Sequence, residues 1–134
     1  MTASTLPLYG AGSQLGDPGA SRGILAARRG WRAEDALEAG ALAQMRRIGP
    51  VFGSANPGVV YFGYPWSALF DSLAAPAVQG PQSGAAPLLR ASLRALRAEI
   101  PRGAAVVTVC QHADLPRHLA LMAETGVTDV FWTH

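Results

Sequence analysis

The chain has 134 residues, of which 49% are hydrophobic, and this is enough apolar material for a packed domain. Eleven basic residues, all of them arginine, and nine acidic residues give a net charge of only +2. Because no dense basic cluster is interleaved with aromatic residues, nucleic-acid binding is not predicted. No apolar run approaches the roughly 20 residues of a membrane span, no signal-peptide pattern opens the chain, and a single cysteine excludes an intrachain disulfide. We therefore predict a cytoplasmic protein.

The N-terminal stretch is rich in Gly, Ser, Ala and Pro. Residues 9–16, YGAGSQLG, have the glycine content of a phosphate-binding loop. Such a loop needs a preceding strand and a following helix whose N-terminus faces the phosphate. Residues 6–9 make a poor strand, and residues 17–19, DPG, interrupt a helix. The composition therefore favours an ordinary loop, with the phosphate-binding loop as the alternative.

A helix is predicted for residues 33–48, with acidic residues in its first turn, arginines in its last turn and Gly49-Pro50 as a stop. Its apolar face is predicted to consist of Leu37, Ala41, Met45 and Ile48. Residues 1–57 would then be a Gly- and Ala-rich segment with one helix, and residues 58–134 the α/β core. One continuous domain is the alternative.

Residues 59–63, VVYFG, follow a turn-rich stretch and predict a strand. Tyr64 and Trp66 come next, and at the end of a strand their faces could stack on a sugar or a base. The alternative is that Trp66 packs a short helix onto the sheet together with Leu69 and Phe70, because aromatic residues dominate core burial. Tyr64 and Trp66 are therefore substrate-binding candidates under the first interpretation and core residues under the second.

An amphipathic helix is predicted for residues 87–100, after a loop-like stretch over residues 74–86. The residues predicted to face inward are Leu88, Leu89, Leu93, Leu96 and Ile100. Arg90, Arg94 and Arg97 fall on the other face and are predicted to be solvated.

Residues 106–132 predict a strand, a helix and a second strand. The apolar run 106–110 lacks polar alternation, as in a strand buried on both faces of a parallel sheet. Asp114 offers a helix N-cap, and Gly126 is expected to end the helix in the left-handed conformation. The helix face predicted to be apolar holds Leu115, His118, Leu119 and Met122. Since the second strand, from residue 127, is expected to be buried and to need a covering helix, the natural chain is expected to continue beyond His134.

The carboxyl ends of these two strands are the predicted functional site, because open α/β sheets bind ligands just beyond them. The polar residues there are Cys110, Gln111, His112, Asp114, Thr133 and His134. Parallel strands end at the same edge, so we expect His112 and His134 to share a cleft and to act as acid–base or hydrogen-bonding groups. Gln111 and Asp114 are candidate substrate-binding residues, although the position of Asp114 favours capping.

Two other arrangements use Cys110. With His112 and His134 it could supply a metal site, because residues two apart on a strand point the same way, but the spacing matches no standard zinc pattern. Cys110 could also be a nucleophile with His112 as its base. Neighbours two apart rarely bring a thiol against an imidazole, and a cysteine within a sheet is usually inert. Neither a metal nor a cofactor is therefore predicted.

Four segments between residues 58 and 134 carry a family resemblance. They are GVVYF followed by YPW at residues 58–66, an Arg-rich helix, VTVCQH at residues 107–112, and GVTDVFWTH at residues 126–134. Together they resemble bacterial exostosin-like glycosyltransferases of polysaccharide assembly. The resemblance implies a two-lobed GT-B-like fold with Rossmann-like halves, a nucleotide-sugar donor and a glycan acceptor. The donor usually lies mainly on the C-terminal lobe of such enzymes, so this chain would be the acceptor-side N-terminal lobe, with that C-terminal lobe as its partner.

The predicted fold class is thus α/β, a three-layer Rossmann-like domain with a short parallel sheet, and by the resemblance an incomplete fragment of a two-lobed fold. The predicted function is transfer of a sugar from a nucleotide-sugar to a glycan. The alternative, from a different class, is a non-catalytic ligand-binding or regulatory α/β domain.

Overall fold

Four parallel strands form the sheet of the protein, as seen in a computed structural model that describes residues 23–49, 58–74 and 85–133. The strands are β1 (Ile24–Ala26), β2 (Val59–Gly63), β3 (Ala105–Cys110) and β4 (Asp129–Trp132). Their order in the sheet is β1-β2-β3-β4, and each neighbouring pair is parallel. The prediction of an α/β fold with a short parallel sheet is confirmed. Residues 9–16, with the phosphate-loop alternative, lie outside the described residues.

Helices cover both faces of this sheet. They are α1 (Ala36–Arg47), α2 (Trp66–Ala74), α3 (Ala85–Ala98) and α4 (Leu119–Thr125), and 3₁₀ turns at Ala33–Asp35 and Leu115–His118 precede α1 and α4. Leu42 of α1 packs with Ile24 and Tyr61 on one face. On the opposite face, α2, α3 and α4 pack around Phe62 and Val106. This gives the three layers that the sequence predicted. No described helix is both long and apolar enough to cross a membrane.

Strand β1 was not expected from the sequence. It is only three residues long, and Arg28, Arg29 and Gly30 come one residue after its end, so it shows no strand-like periodicity. Its pairing with β2 is nevertheless regular, because the N–H of Tyr61 donates to the carbonyl of Gly23 at 2.7 Å and the N–H of Ala27 donates to that of Gly63 at 2.9 Å. Residues 23–49 therefore contribute a strand to the same sheet as residues 58–133, and a helix that packs on one face of that sheet.

The buried face of α1 differs from the predicted one. Leu37 and Ile48, both predicted to face inward, are 58% and 45% exposed. The residues of α1 that are buried are Glu38 and Leu42. The helix is turned so that a carboxylate, which a hydrophobic pattern scores as polar, points into the protein. The predicted apolar face of α1 is therefore wrong at Leu37 and Ile48, whereas Ala41 and Met45 are partly buried against the core cluster of Ile24, Leu42 and Tyr61.

Two further burial predictions need correction. In α3, Leu89, Leu93 and Leu96 are buried as predicted, but Leu88 is 75% exposed because it lies one position off that helical face. Strand β4 is an edge strand that pairs only with β3 among the described strands. Phe131 and Trp132 are consequently 62% and 45% exposed, so the prediction that this strand is buried is wrong.

The end of α4 follows the prediction for Gly126. This glycine has φ = 106°, in the left-handed region. Its N–H donates to the carbonyl of Ala123, and the N–H of Val127 donates to that of Met122 at 3.2 Å. These two hydrogen bonds satisfy carbonyls that the end of the helix would otherwise leave unpaired.

We expect Gly126→Val to lower the free energy of unfolding by about 1–2 kcal/mol, because a Cβ is penalised in this conformation. The matched control is Gly40→Ala in the exposed interior of α1, where an added Cβ would meet no atom within 4 Å. That control should raise the free energy of unfolding by about 0.5–1 kcal/mol. Chemical denaturation measures both variants, and an unchanged midpoint for Gly126→Val would contradict the prediction.

Candidate functional site at the carboxyl edge of the sheet

A buried carboxylate, that of Glu38, connects three elements at the carboxyl edge of the sheet. The residue is 1% exposed. Its Oε2 accepts hydrogen bonds from Ser67 Oγ and from the N–H of Gln111, both at 2.9 Å, and its Oε1 accepts from the N–H of Ser67 at 3.3 Å. No described Arg or His forms an ion pair with it. The carboxylate is therefore satisfied by hydrogen-bond donors, two of them from the first turn of α2, where the helix dipole favours negative charge.

The environment of Glu38 acts on its pKa in two directions. Burial raises the pKa of Glu38, and the hydrogen bonds from Gln111 and Ser67 lower it, with the effect of burial prevailing. Burial, and to a smaller extent the Glu38 carboxylate, raises the pKa of Tyr61 to about 12.

Gln111, a predicted substrate-binding residue, holds the start of α1. Its Oε1 accepts from the N–H of Glu38 at 3.0 Å, and its Nε2 donates to the carbonyl of Glu34 at 2.8 Å. The side chain thus pairs an N–H of the first turn of α1, which lacks a partner within the helix, with its amide oxygen, and a carbonyl of the preceding 3₁₀ turn with its amide nitrogen. Gln111 therefore has a structural role, and a contact with substrate stays a prediction.

A second, more exposed group of side chains lies at the same edge and consists of Arg32, Asp71 and His112; we call it the edge cluster. Asp71 Oδ2 lies 3.0 Å from Arg32 Nη1, and Asp71 Oδ1 lies 2.8 Å from His112 Nε2. Arg32 is held in turn by Asp35, with Nη2 2.7 Å from Oδ1. The side chain of Asp71 is 46% exposed, against 25% for Arg32 and 14% for His112. The carboxylate of Asp71 is thus the part of the cluster most open to solvent.

The charge of Asp71 is maintained by its two partners. Burial alone would raise the pKa of Asp71, but the hydrogen bonds with His112 and Arg32 outweigh it, and the pKa lies below its usual value. A carboxylate in this state is a good hydrogen-bond acceptor and a weak base.

His112 is fixed on three sides. Its Nδ1 accepts a hydrogen bond from the N–H of Asp114 at 3.0 Å, which assigns the ring proton to Nε2, the donor to Asp71. Its carbonyl accepts from Trp132 Nε1 at 2.9 Å. The ring is therefore positioned at the edge of the sheet as predicted, but both of its nitrogens have partners.

Asp114, predicted as a cap or a substrate ligand, caps nothing through its side chain. It occupies the N-cap position of the 3₁₀ turn, yet its carboxylate makes no capping hydrogen bond. Its backbone is used instead, since the N–H binds His112 and the carbonyl accepts from the N–H of Arg117 at 2.9 Å. The predicted side-chain cap is wrong, because the turn that follows is a 3₁₀ helix and not the first turn of α4.

The aromatic residues Tyr64 and Trp66 lie in the core. They are 1% and 0% exposed. Trp66 Nε1 donates to Thr108 Oγ1 at 2.9 Å, and Tyr64 OH donates to the carbonyl of Leu89. Because neither ring faces solvent, the structure contradicts the stacking platform, and the packing alternative describes these residues.

Cys110 is also a core residue. It is 0% exposed, and burial raises its pKa to about 12, so the thiol stays protonated at neutral pH. The proposed nucleophile–base pair is therefore contradicted, because His112 is bonded to Asp71 and not to the thiol. In the part of the chain that the structure describes, no three His, Cys, Asp or Glu side chains are grouped as metal ligands.

The end of β4 lies beside the end of β3, as the predicted parallel arrangement requires. The N–H of Thr133 donates to the carbonyl of Cys110 at 3.0 Å. His134 lies outside the described residues, so a cleft shared by His112 and His134 stays a prediction.

Sequence reasoning missed several members of this site, namely Arg32, Asp71, His118 and Glu38. Arg32 follows a strand that the sequence did not reveal, and Asp71 lies one helical turn after Ser67 on α2. His118 lies on the predicted apolar face of the last helix, and its ring stacks on Phe70, with centroids 4.0 Å apart and planes at 10°. Burial lowers the pKa of His118, and nearby His112 lowers it further. The one advance signal for this site was the position of His112 just beyond the predicted strand β3.

Comparisons with known proteins add no family to this description. No family model matches the chain, and searches of curated proteins and of solved structures also found no match. The resemblance to exostosin-like glycosyltransferases therefore stays a hypothesis.

We expect Glu38→Ala to lower the free energy of unfolding by roughly 2–4 kcal/mol, because the N–H groups of Ser67 and Gln111 lose their acceptor at about 1–3 kcal/mol each. Glu34→Ala, at an exposed glutamate four residues earlier in the 3₁₀ turn before α1, is the control and should cost less than about 1 kcal/mol, the scale of a lost helix-dipole interaction. Urea denaturation of both variants checks this. Equal losses would mean that the buried carboxylate is not the connection between α1, α2 and β3.

A pH dependence follows from the raised pKa of Glu38. Since this pKa exceeds the ordinary value of 4.5, the folded protein binds this proton more tightly than the unfolded chain does. The stability that this group contributes is therefore full below about 4.5 and is lost as pH rises through the folded pKa. The free energy of unfolding of the wild type minus that of Glu38→Gln, measured at a series of pH values, should fall across this window. A difference that stays constant or rises with pH would contradict the assignment.

Proposed function

We propose that this chain is the acceptor-side lobe of an enzyme that transfers a sugar from a nucleotide-sugar to a glycan, and that the edge cluster binds hydroxyl groups of the acceptor. The observation that carries the proposal is the half-exposed carboxylate of Asp71, held between an imidazole and a guanidinium at the carboxyl edge of a parallel sheet. This edge is where open α/β sheets bind their ligands. The resemblance of residues 58–134 to exostosin-like glycosyltransferases supports the same function.

The hydrogen-bonding capacity of the edge cluster suits a sugar. Each oxygen of Asp71 accepts one hydrogen bond from within the protein and keeps further acceptor capacity for a hydroxyl proton. Arg32 donates to Asp35 from Nε and Nη2, and to Asp71 from Nη1. Each terminal nitrogen therefore keeps one N–H group that can donate to a hydroxyl oxygen. A hydroxyl group both donates and accepts, so a sugar can use both kinds of group at once.

The charge of this region favours an acceptor over a donor. Arg32 is surrounded by the carboxylates of Asp35 and Asp71, so its positive charge is already balanced. A nucleotide-sugar carries a diphosphate, which needs unpaired cations or helix N-termini. A neutral glycan needs neither, which agrees with the donor being bound elsewhere.

The alternative, a non-catalytic glycan-binding domain, is favoured by the state of His112. Removal of a proton from the acceptor hydroxyl needs a base with a free lone pair. Nδ1 of His112 accepts the N–H of Asp114, and Asp71 is a weak base because its pKa is lowered. In this conformation the cluster supports positioning of the acceptor, and catalysis by His112 requires that the contact with Asp114 opens.

We expect Asp71→Asn to weaken binding of acceptor oligosaccharides by about tenfold or more, the effect of losing a hydrogen bond to a charged group. His112→Ala should also weaken it, because the donor that holds Asp71 is lost. The matched control is Asp129→Asn, which makes the same chemical change at the amino end of β4 and should bind like the wild type. A glycan array followed by calorimetry measures these affinities, and thermal melts confirm that the variants are folded. Unchanged affinity of Asp71→Asn would refute the site.

Transfer assays separate the two candidate functions. The natural full-length protein, supplied with a panel of nucleotide-sugars and the bound glycan, should form a longer glycan if it is an enzyme. Binding without donor-dependent transfer would favour the non-catalytic domain instead.

A further inference from the structure

A groove lies between α3 and α4 on the outer surface of the helical layer, away from the edge cluster. It has a volume of about 200 Å³. Leu69, Leu93 and Leu121 contribute its apolar lining, and arginines of α3 form one rim. None of Arg32, Asp71 or His112 lines it, so it is separate from the site proposed above.

The rim carries unbalanced positive charge. Arg90, Arg94 and Arg97 are all exposed and recur at helical spacing, so they form a row about 10 Å long at 1.5 Å per residue. No described carboxylate forms an ion pair with any of them, and this includes Glu124, which lines the groove from α4. A solvated row of this kind attracts anionic groups at its own spacing.

The size of the groove argues against a small-molecule ligand. Pockets for such ligands usually enclose about 300–1,000 Å³, and this groove is smaller. It has room for an apolar side chain inserted from outside, flanked by the charged row. An apolar anchor beside a line of charges is the pattern by which an amphipathic helix binds a groove between two helices.

We infer that this groove binds an acidic amphipathic helix of a partner protein, whose carboxylates face Arg90, Arg94 and Arg97 and whose apolar anchor enters between α3 and α4. A second copy of this chain does not match, since among the described helices α1, α2 and α4 each hold a single acidic residue, α3 holds none, and of the two acidic residues in the 3₁₀ turn before α1 only Glu34 is exposed. The interaction rests on charge complementarity at an exposed surface, so it weakens as salt increases.

The test uses a fluorescein-labelled designed peptide of about 18 residues, long enough to form a helix in isolation, with glutamates at i, i+4 and i+7 and a leucine on the same face. A peptide of the same composition, scrambled so that these spacings are lost, is the control probe. Fluorescence anisotropy should show binding of the first peptide to the wild type, with much weaker binding of the scrambled one. Raising the salt from about 50 to 200 mM should weaken the binding, because exposed charges are then screened.

Variants locate the binding surface. Arg94→Glu should weaken binding of the designed peptide by about tenfold or more, the scale of like charges set against each other at a complementary interface. The matched control is Arg46→Glu, an exposed arginine in the last turn of α1 on the opposite face of the sheet, and it should leave the affinity unchanged. Because both arginines are exposed, circular dichroism should show both variants folded.

Three outcomes would overturn the inference. They are equal binding of the scrambled peptide, an equal loss in Arg46→Glu, and no binding to the wild type at low salt. Co-sedimentation with phosphatidylserine vesicles is the parallel assay. If Arg94→Glu abolished vesicle binding while the wild type ignored the peptide, the surface would be a membrane contact and the proposed helix partner would be wrong.

Discussion

The carboxylate of Glu38 is the constraint on which the arrangement of the carboxyl edge depends. A buried charge without a cation is costly unless donors surround it, and here the donors come from two separate elements, the first turn of α2 and the residue after β3. Because both must approach the same carboxylate, α1 is fixed against the ends of β2 and β3. The return contact from Gln111 to the backbone of Glu38 fixes the helix in the opposite direction as well. A single side chain thus sets the position of three elements that the chain connects only through long segments.

The edge cluster is a second layer built on the first by helical and strand periodicity. Ser67 and Asp71 are one turn apart and lie on the same face of α2, with Ser67 bound to the buried Glu38 and the side chain of Asp71 46% exposed. In the same way, Gln111 contacts Glu38 and the next residue, His112, reaches Asp71. Asp35 precedes Glu38 by one turn and holds Arg32, which contacts the carboxylate of Asp71. The hydrogen bonds of Glu38 therefore position the edge cluster, and loss of the Glu38 side chain should also displace Asp71.

The sequence predicted the elements whose signals are local. The apolar run of β3, the left-handed Gly126 and the strand at residues 59–63 each follow from a short stretch of residues, and the structure contains all three. Strand β1 has three residues and no periodicity, so only its pairing with β2 defines it. The orientation of α1 could not be predicted either, because it depends on the partners of Glu38 at Ser67 and Gln111, which are 29 and 73 residues away in the chain. The contact of Arg32 with Asp71 spans 39 residues and has no local signal at all.

The two surfaces proposed to bind ligands differ in how their charges are balanced, and this difference separates the kinds of partner they suit. At the carboxyl edge, one guanidinium lies between two carboxylates, so a phosphate brought there would meet more negative than positive charge. Along α3, three guanidinium groups have no carboxylate partner within the described chain. A neutral polyol can form hydrogen bonds at the carboxyl edge without electrostatic repulsion, whereas an acidic helix is attracted to the arginines of α3. Arg32, Asp71 and His112 do not line the groove beside α3, so the two proposed surfaces share no residue.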